Sequence, residues 1–121
     1  YYLADKGIRL KEADEMITRA NELLPNDPAI LDSVGWVKYR RGIYKESLKY
    51  LRKAFLLASE SEIAAHLGEV LWISGKNKEA KKIWDEALKR SPNNKILRET
   101  IERLTGESIW TNRILSIIKN Y

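Results

Sequence analysis

Apolar residues recur along this chain at the spacing of an α-helix. Ala13, Ile17, Ala20 and Leu24 follow one another at intervals of four, three and four, and Tyr44, Leu48, Leu51 and Phe55 do the same, so each set falls on one helix face. No segment sustains the period-two alternation of a strand. Leu24-Pro25-Asn26-Asp27-Pro28 and Ser91-Pro92-Asn93-Asn94 read as loops feeding helices, because proline is tolerated in a first helical turn and Asn, Asp and Ser cap it. The spacing predicts helices near 10–24, 28–41, 44–58, 61–74, 77–90 and 94–104, with a further one at 108–119. The expected fold class is all-α.

Sliding the sequence against itself exposes a repeat of 33 to 34 residues. Gly35 recurs as Gly68, Gly42 as Gly75, Ser47 as Ala80, Leu51 as Trp84 and Ala54 as Ala87, all at a shift of 33, and Ala20 precedes Ala54 by 34. Most matching positions are small, as expected where two antiparallel helices approach closely. The repeating unit is a helical hairpin, which cannot bury its apolar faces alone and therefore stacks.

This pattern resembles the tetratricopeptide repeat, whose motif runs from a large apolar residue through Leu-Gly, an aromatic, a turn Gly, Ala, a large apolar residue and Ala to Pro. Leu67-Gly68, Gly75, Ala80, Trp84, Ala87 and Pro92 match it in order, with Ala64 and Leu71 in place of its first large residue and its aromatic. A second copy holds Leu31, Val34-Gly35, Gly42, Tyr44, Ser47, Leu51 and Ala54, with Lys38 at the aromatic position and Ser59 where Pro closes the motif. A first copy keeps Ala13, Ile17, Ala20 and Pro25. The resemblance implies a right-handed α-solenoid. Residues 1–25 are a truncated first repeat, mainly its second helix; 28–59 and 61–92 are the second and third repeats. Residues 94–105 form a capping helix carrying Leu97, Ile101 and Leu104, and 107–121 an amphipathic tail helix. Residues 29–42 and 62–72 look closer still to the large tetratricopeptide-repeat proteins of Gram-negative bacteria. Those are often lipoproteins facing the periplasm, with such a pair of repeats near the C-terminal end. That likeness implies a protein-binding adaptor at the periplasmic face of the outer membrane or in the periplasm.

Composition narrows the classes. A chain of 121 residues, 44% apolar and 32% charged, is one domain in size, which argues against a multidomain enzyme. Its longest apolar runs fall far short of the roughly 18 residues that cross a bilayer, so the chain is expected to be soluble as it stands. It opens on Tyr1-Tyr2 without Met, which leads one to expect a fragment whose targeting signal lies upstream. Absence of Cys removes disulfides, thiolate nucleophiles and Cys-based zinc sites and leaves the redox compartment open.

In stacked hairpins the first helix of each pair lines the concave side. Its residues off the packing stripe are Ala29, Asp32, Ser33, Trp36, Tyr39 and Arg40 in the second copy and Glu62, Ala65, His66, Glu69, Trp72 and Ile73 in the third. The candidate partner-binding groove therefore combines Asp32, Trp36, Tyr39, Arg40, His66, Glu69, Trp72 and Ile73: aromatic anchors bordered by charges, as peptide recognition requires. A Trp at helical spacing also serves as core, the expectation for Trp84 and half of the expectation for Trp72; Trp36, beside Gly35, turns away from the paired helix. Asp32 and Glu69 would repel a carboxylate, which argues against capture of a partner's C-terminus.

Other chemistries find less support. Residues 28–60 carry Lys38, Arg40, Arg41, Lys45, Lys49, Arg52 and Lys53 against Asp32, Glu46 and Glu60, which is seven minus three, +4 of the chain's net +5. Binding of this strip to an anionic polymer, membrane or nucleic acid is the alternative reading, weighed against an ordinary solvated helix face. Nucleic acid is the least supported of these partners. His66, the sole histidine, shares a helix face with Glu62 and Glu69, a spacing that ordinarily makes a surface hydrogen bond or ion pair. With no nucleophile constellation, P-loop or zinc signature, the sequence predicts no enzyme, metal or cofactor. In the tail, Trp110, Ile114, Ile117 and Ile118 form an apolar face that needs cover, either by folding back on the last repeat or by pairing two copies into a homodimer.

Overall fold

The structure, a computed structural model, describes residues 9–107. Within them the chain is all-helical: α1 Leu10–Leu23, α2 Pro28–Arg40, α3 Tyr44–Leu57, α4 Ser61–Ile73, α5 Asn77–Arg90 and α6 Lys95–Thr105. Each boundary has a local cause. The Asp27 side chain accepts hydrogen bonds from the backbone N–H groups of Ala29 and Ile30, with Pro28 in the first turn where its missing N–H costs nothing. Asn94 caps α6 by accepting from the Leu97 N–H at 2.9 Å. Helices α2 and α4 both end at a glycine in the left-handed region, Gly42 at φ 79° and Gly75 at φ 83°. In each turn the residue after the glycine donates back into the helix, Ile43 to the Lys38 carbonyl and Lys76 to that of Leu71.

The two central hairpins, α2–α3 and α4–α5, close on glycine. A Cβ on Gly35 would lie 2.6 Å from Leu51 Cγ, and one on Gly68 only 1.9 Å from Trp84 Nε1. Each first helix thus presses its backbone against the large residue of its partner, and at the Gly35 crossing Ser47 Oγ donates to the Gly35 carbonyl. Ser47, Leu51 and Ala54 are completely buried, as are Ala80, Trp84 and Ala87 33 residues later. Ala13, Ile17 and Ala20, in the same register on α1, are only half-buried, and Met16 and Leu23 beside them are exposed.

Helix α2 touches α4 and α4 touches α6, whereas the backbones of α1, α3 and α5 do not approach one another. The first helices therefore stand on the inner side of the curve. Helix α4 packs against α5, α3 and α6, and α6 rests mainly on α4 rather than α5. Covered on three sides, α4 buries Ile63, Ala64, Ala65, Leu67, Gly68, Glu69, Val70 and Leu71. Leu97 of α6 completes that core.

Candidate protein-binding surface

On α2 the positions 29, 33, 36 and 40 step by four, three and four and form one inner face; 62, 66, 69 and 73 are their equivalents on α4. At the centre Trp36 stacks on His66 across the repeat boundary, ring centroids 4.2 Å apart, and lies 5.0 Å from the Tyr39 ring. His66 Nδ1 is 2.8 Å from Asp32 Oδ1; because an ionised carboxylate only accepts, the Nδ1–H is the donor. This fixes the imidazole beneath Trp36.

A second chain of polar groups runs beside the first. The Tyr39 hydroxyl donates to Glu69 Oε2 at 2.9 Å, and the other Glu69 oxygen takes the Arg103 guanidinium of α6. Burial, then the hydrogen bond and charge of Glu69, push the Tyr39 phenol well above its ordinary value of 10.0. Three consecutive first helices are linked through one buried carboxylate.

Asp32 and Glu69 therefore do not stand open to a ligand as the sequence suggests: both are buried, at 3% and 5% exposure, and both are engaged. Ala65 is fully buried as well. The physical reason is the neighbouring first helix, α4 over Asp32 and α6 over Glu69, which one helix's periodicity cannot foresee. His66 bonds Asp32, and Glu69 bonds Tyr39 and Arg103, in place of the expected pairing along one helix with Glu62. Trp72 is half-buried against Trp84 at 5.8 Å with Lys81 of α5 over its ring, so it leans toward α5 rather than joining Trp36. Arg40 is exposed and makes no ion pair with a described residue; Ile73, at the same end of the inner face, is 45% exposed. The structure thus assembles Trp36, Tyr39 and His66 with Arg40 at the rim, and adds Arg103, which sequence reasoning missed. The only signal for Arg103 was its separation of 34 from Glu69, equal to that of His66 from Asp32.

Outside this face, Asp14 on α1 is buried and receives Arg41 at 2.6 Å, Lys38 at 3.1 Å and the Thr18 hydroxyl at 3.0 Å. Burial raises its carboxyl, but the hydrogen bonds from Arg41, Lys38 and Thr18 prevail and hold it below the ordinary 3.8. Lys38, which stands at the motif's aromatic position, is thereby a link between repeats. Lys45, Lys49 and Lys76 are exposed and line a cleft of about 560 Å³ with Arg52, which is paired to Glu79. Among the described residues no cluster of His, Asp and Glu could hold a metal, and no helix is long and apolar enough to cross a membrane. The tail residues Trp110, Ile114, Ile117 and Ile118 lie outside the described residues.

No family model matches the chain. Over 106 residues, 88% of its length, it is 50% identical to a TPR repeat-containing protein of Pseudomonas aeruginosa, of which the matched stretch is 18%. The chain spans less than a fifth of that relative's length. With the 33-residue register, the glycine-closed hairpins and this likeness together, the chain is a tetratricopeptide-repeat protein.

Proposed function

We propose that this array is a non-catalytic protein-binding module that takes a segment of a partner on the inner face of its first helices. One observation carries the reading: Trp36, half-buried on the inner face, stacks on His66, whose ring is itself held by a hydrogen bond to Asp32. Aromatic anchors fixed before binding lose little freedom on binding, which is where such surfaces gain affinity. The likeness to a repeat-containing relative supports a role in protein interaction, and placement in the bacterial envelope is part of the same proposal, tested by fractionating the native protein.

Immobilised chain is exposed to a Gram-negative envelope extract beside Trp36→Ala and beside Lys45→Glu/Lys49→Glu. Retention of a protein by the wild type, lost with Trp36→Ala and kept by the lysine variant, is the expected result. The shared cleft of Lys45, Lys49 and Lys76 favours one other reading, electrostatic binding of an anionic surface by the outer face. Loss of retention with the lysines and in moderate salt would replace the inner-face reading with that one.

A further inference from the structure

Resting on the reading of the inner face as a peptide-binding surface, we infer that its ligand is an acidic segment in which a carboxylate neighbours an aromatic or large apolar side chain, with Arg40 as the residue that reads the carboxylate. Taken by residue type alone, the inner face carries Asp32 and Glu69 and should reject anions. In the structure both acids are buried and hydrogen-bonded from within, Asp32 to His66 and Glu69 to Tyr39 and the Arg103 guanidinium, so neither carboxylate lies open to solvent. What stays open is Arg40, exposed and without an ion pair to any described residue. It lies one helical turn beyond Trp36 on the same face of α2.

The surroundings of Arg40 complete the specification. Ile73 occupies the equivalent position on α4 and is 45% exposed, so the same end of the inner face also offers apolar surface. Arg103, although paired, has a side chain 58% exposed and lies near the C-terminal end of α6, as Arg40 does on α2. The opposite end carries Ala29 and the exposed acid Glu62. From position 29 to position 40 is 11 residues, about 16 Å along a helix at 1.5 Å per residue, or about five residues of extended peptide. A peptide carboxylate is therefore accepted at the Arg40 end and repelled at the Glu62 end. Guanidinium and carboxylate match as a two-pronged hydrogen-bonded pair, which favours this anion over a lone point charge.

The test uses two synthetic peptides, acetyl-Glu-Leu-Phe-Gly-Ser-amide and acetyl-Lys-Leu-Phe-Gly-Ser-amide, titrated into the isotope-labelled full chain and followed by NMR. The acidic peptide is expected to shift the Trp36 indole N–H and the Arg40 amide, and to bind about fivefold or more tighter than the basic one, the scale of one exposed ion pair. Arg40→Glu should reverse that order; because Arg40 is exposed and has no ion pair among the described residues, the variant should fold, which circular dichroism checks. Equal binding of both peptides with Trp36 still shifting, or no effect of Arg40→Glu, overturns the carboxylate inference and leaves the inner-face reading standing. Failure of both peptides to move Trp36, or shifts confined to Lys45 and Lys49, overturns both.

Discussion

Replacing Gly68 by Ala tests the closure of the central hairpin directly, because two opposing effects of known size meet at one atom. In an isolated helix the change is favourable by about 1 kcal/mol, since Ala loses less backbone freedom than Gly. Here the new Cβ would sit 1.9 Å from Trp84 Nε1, 2.4 Å from Cε2 and 2.6 Å from Cδ1. An ordinary contact of about 3.4 Å requires the indole to retreat by about 1.5 Å. It has nowhere to go: Trp84 is 1% exposed and has the Trp72 ring behind it at 5.8 Å. Overpacking of a closed core costs about 1–3 kcal/mol, and a clash with a rigid ring belongs at the upper end. Subtracting the helical gain leaves a net loss of about 2 kcal/mol, or a fall in melting temperature of roughly 8 °C for a domain of this size.

Urea unfolding followed by circular dichroism gives both midpoint and slope, so a change in stability is separated from a change in cooperativity. The companion variant is Trp84→Leu, which copies the hairpin before it, where Gly35 faces Leu51. Alone it leaves a cavity; in the Gly68→Ala background the Cβ fills part of that space. The pair should therefore be less destabilised than the sum of the singles by about 1 kcal/mol or more. A Gly68→Ala chain as stable as the wild type, or strict additivity with Trp84→Leu, would refute the close-approach argument.

Two further predictions concern pH. Asp14 is held below 3.8 in the folded chain, so its contribution is present above that value and is lost as acid protonates it; Asp14→Asn should cost about 2 kcal/mol at neutral pH and flatten the acid limb of the stability curve, measured by urea midpoints down that limb. Tyr39 behaves in the opposite sense. Its phenol is raised above 10.0, so beyond that pH the unfolded chain releases a proton that the folded chain keeps, and stability falls; Tyr39→Phe should cost about 1 kcal/mol near neutrality and remove one proton's worth of slope from the alkaline limb. An unchanged alkaline slope in Tyr39→Phe would show that the Tyr39 phenol, raised first by burial and then by Glu69, is not the group behind it.

The helices were legible in the sequence almost to the residue, because apolar spacing and the Pro, Asp and Gly punctuation act locally. The spacing predicts 28–41 and 61–74 where the structure has Pro28–Arg40 and Ser61–Ile73, each ended by the glycine turn. The hairpin contacts were legible too, since Gly35 and Gly68 recur at the same distance from Leu51 and Trp84. The inner face was legible only in part. Trp36 and Arg40 stand where one helix's periodicity puts them, but whether Asp32 or Glu69 reaches solvent depends on the next first helix, a relation between elements 30 or more residues apart. Lys38 shows the same limit. It departs from the motif's aromatic, and its role shows only through Asp14, one helix earlier, a buried carboxylate that it pairs at 3.1 Å.

These long-range polar links also share a spacing. Asp32 meets His66 and Glu69 meets Arg103 at a separation of 34; Asp14 meets Arg41 and Arg52 meets Glu79 at 27. The pairs do not occupy equivalent repeat positions: at the shift of 33 Asp32 corresponds to Ala65 and Trp36 to Glu69, and Asp14 meets the turn after α2 whereas Arg52 and Glu79 join α3 to α5. Asp14, Asp32 and Glu69 are buried whereas Arg52 and Glu79 are not, and a buried pair adds little net stability, because removing its polar groups from water costs nearly what their attraction returns. Their effect is on which arrangement forms. The apolar stripes of stacked hairpins resemble one another, and a slip by one helical turn would exchange one set of Leu, Ala and Ile contacts for another at small cost. The same slip would strand Asp32 and Glu69 without His66 and Arg103, and a buried carboxylate deprived of its partner costs about 3–5 kcal/mol. The two acids that residue type alone assigns to a ligand thus favour one register of the helices, and in that register His66 of α4 stacks on Trp36 of α2, on the face where a partner would dock.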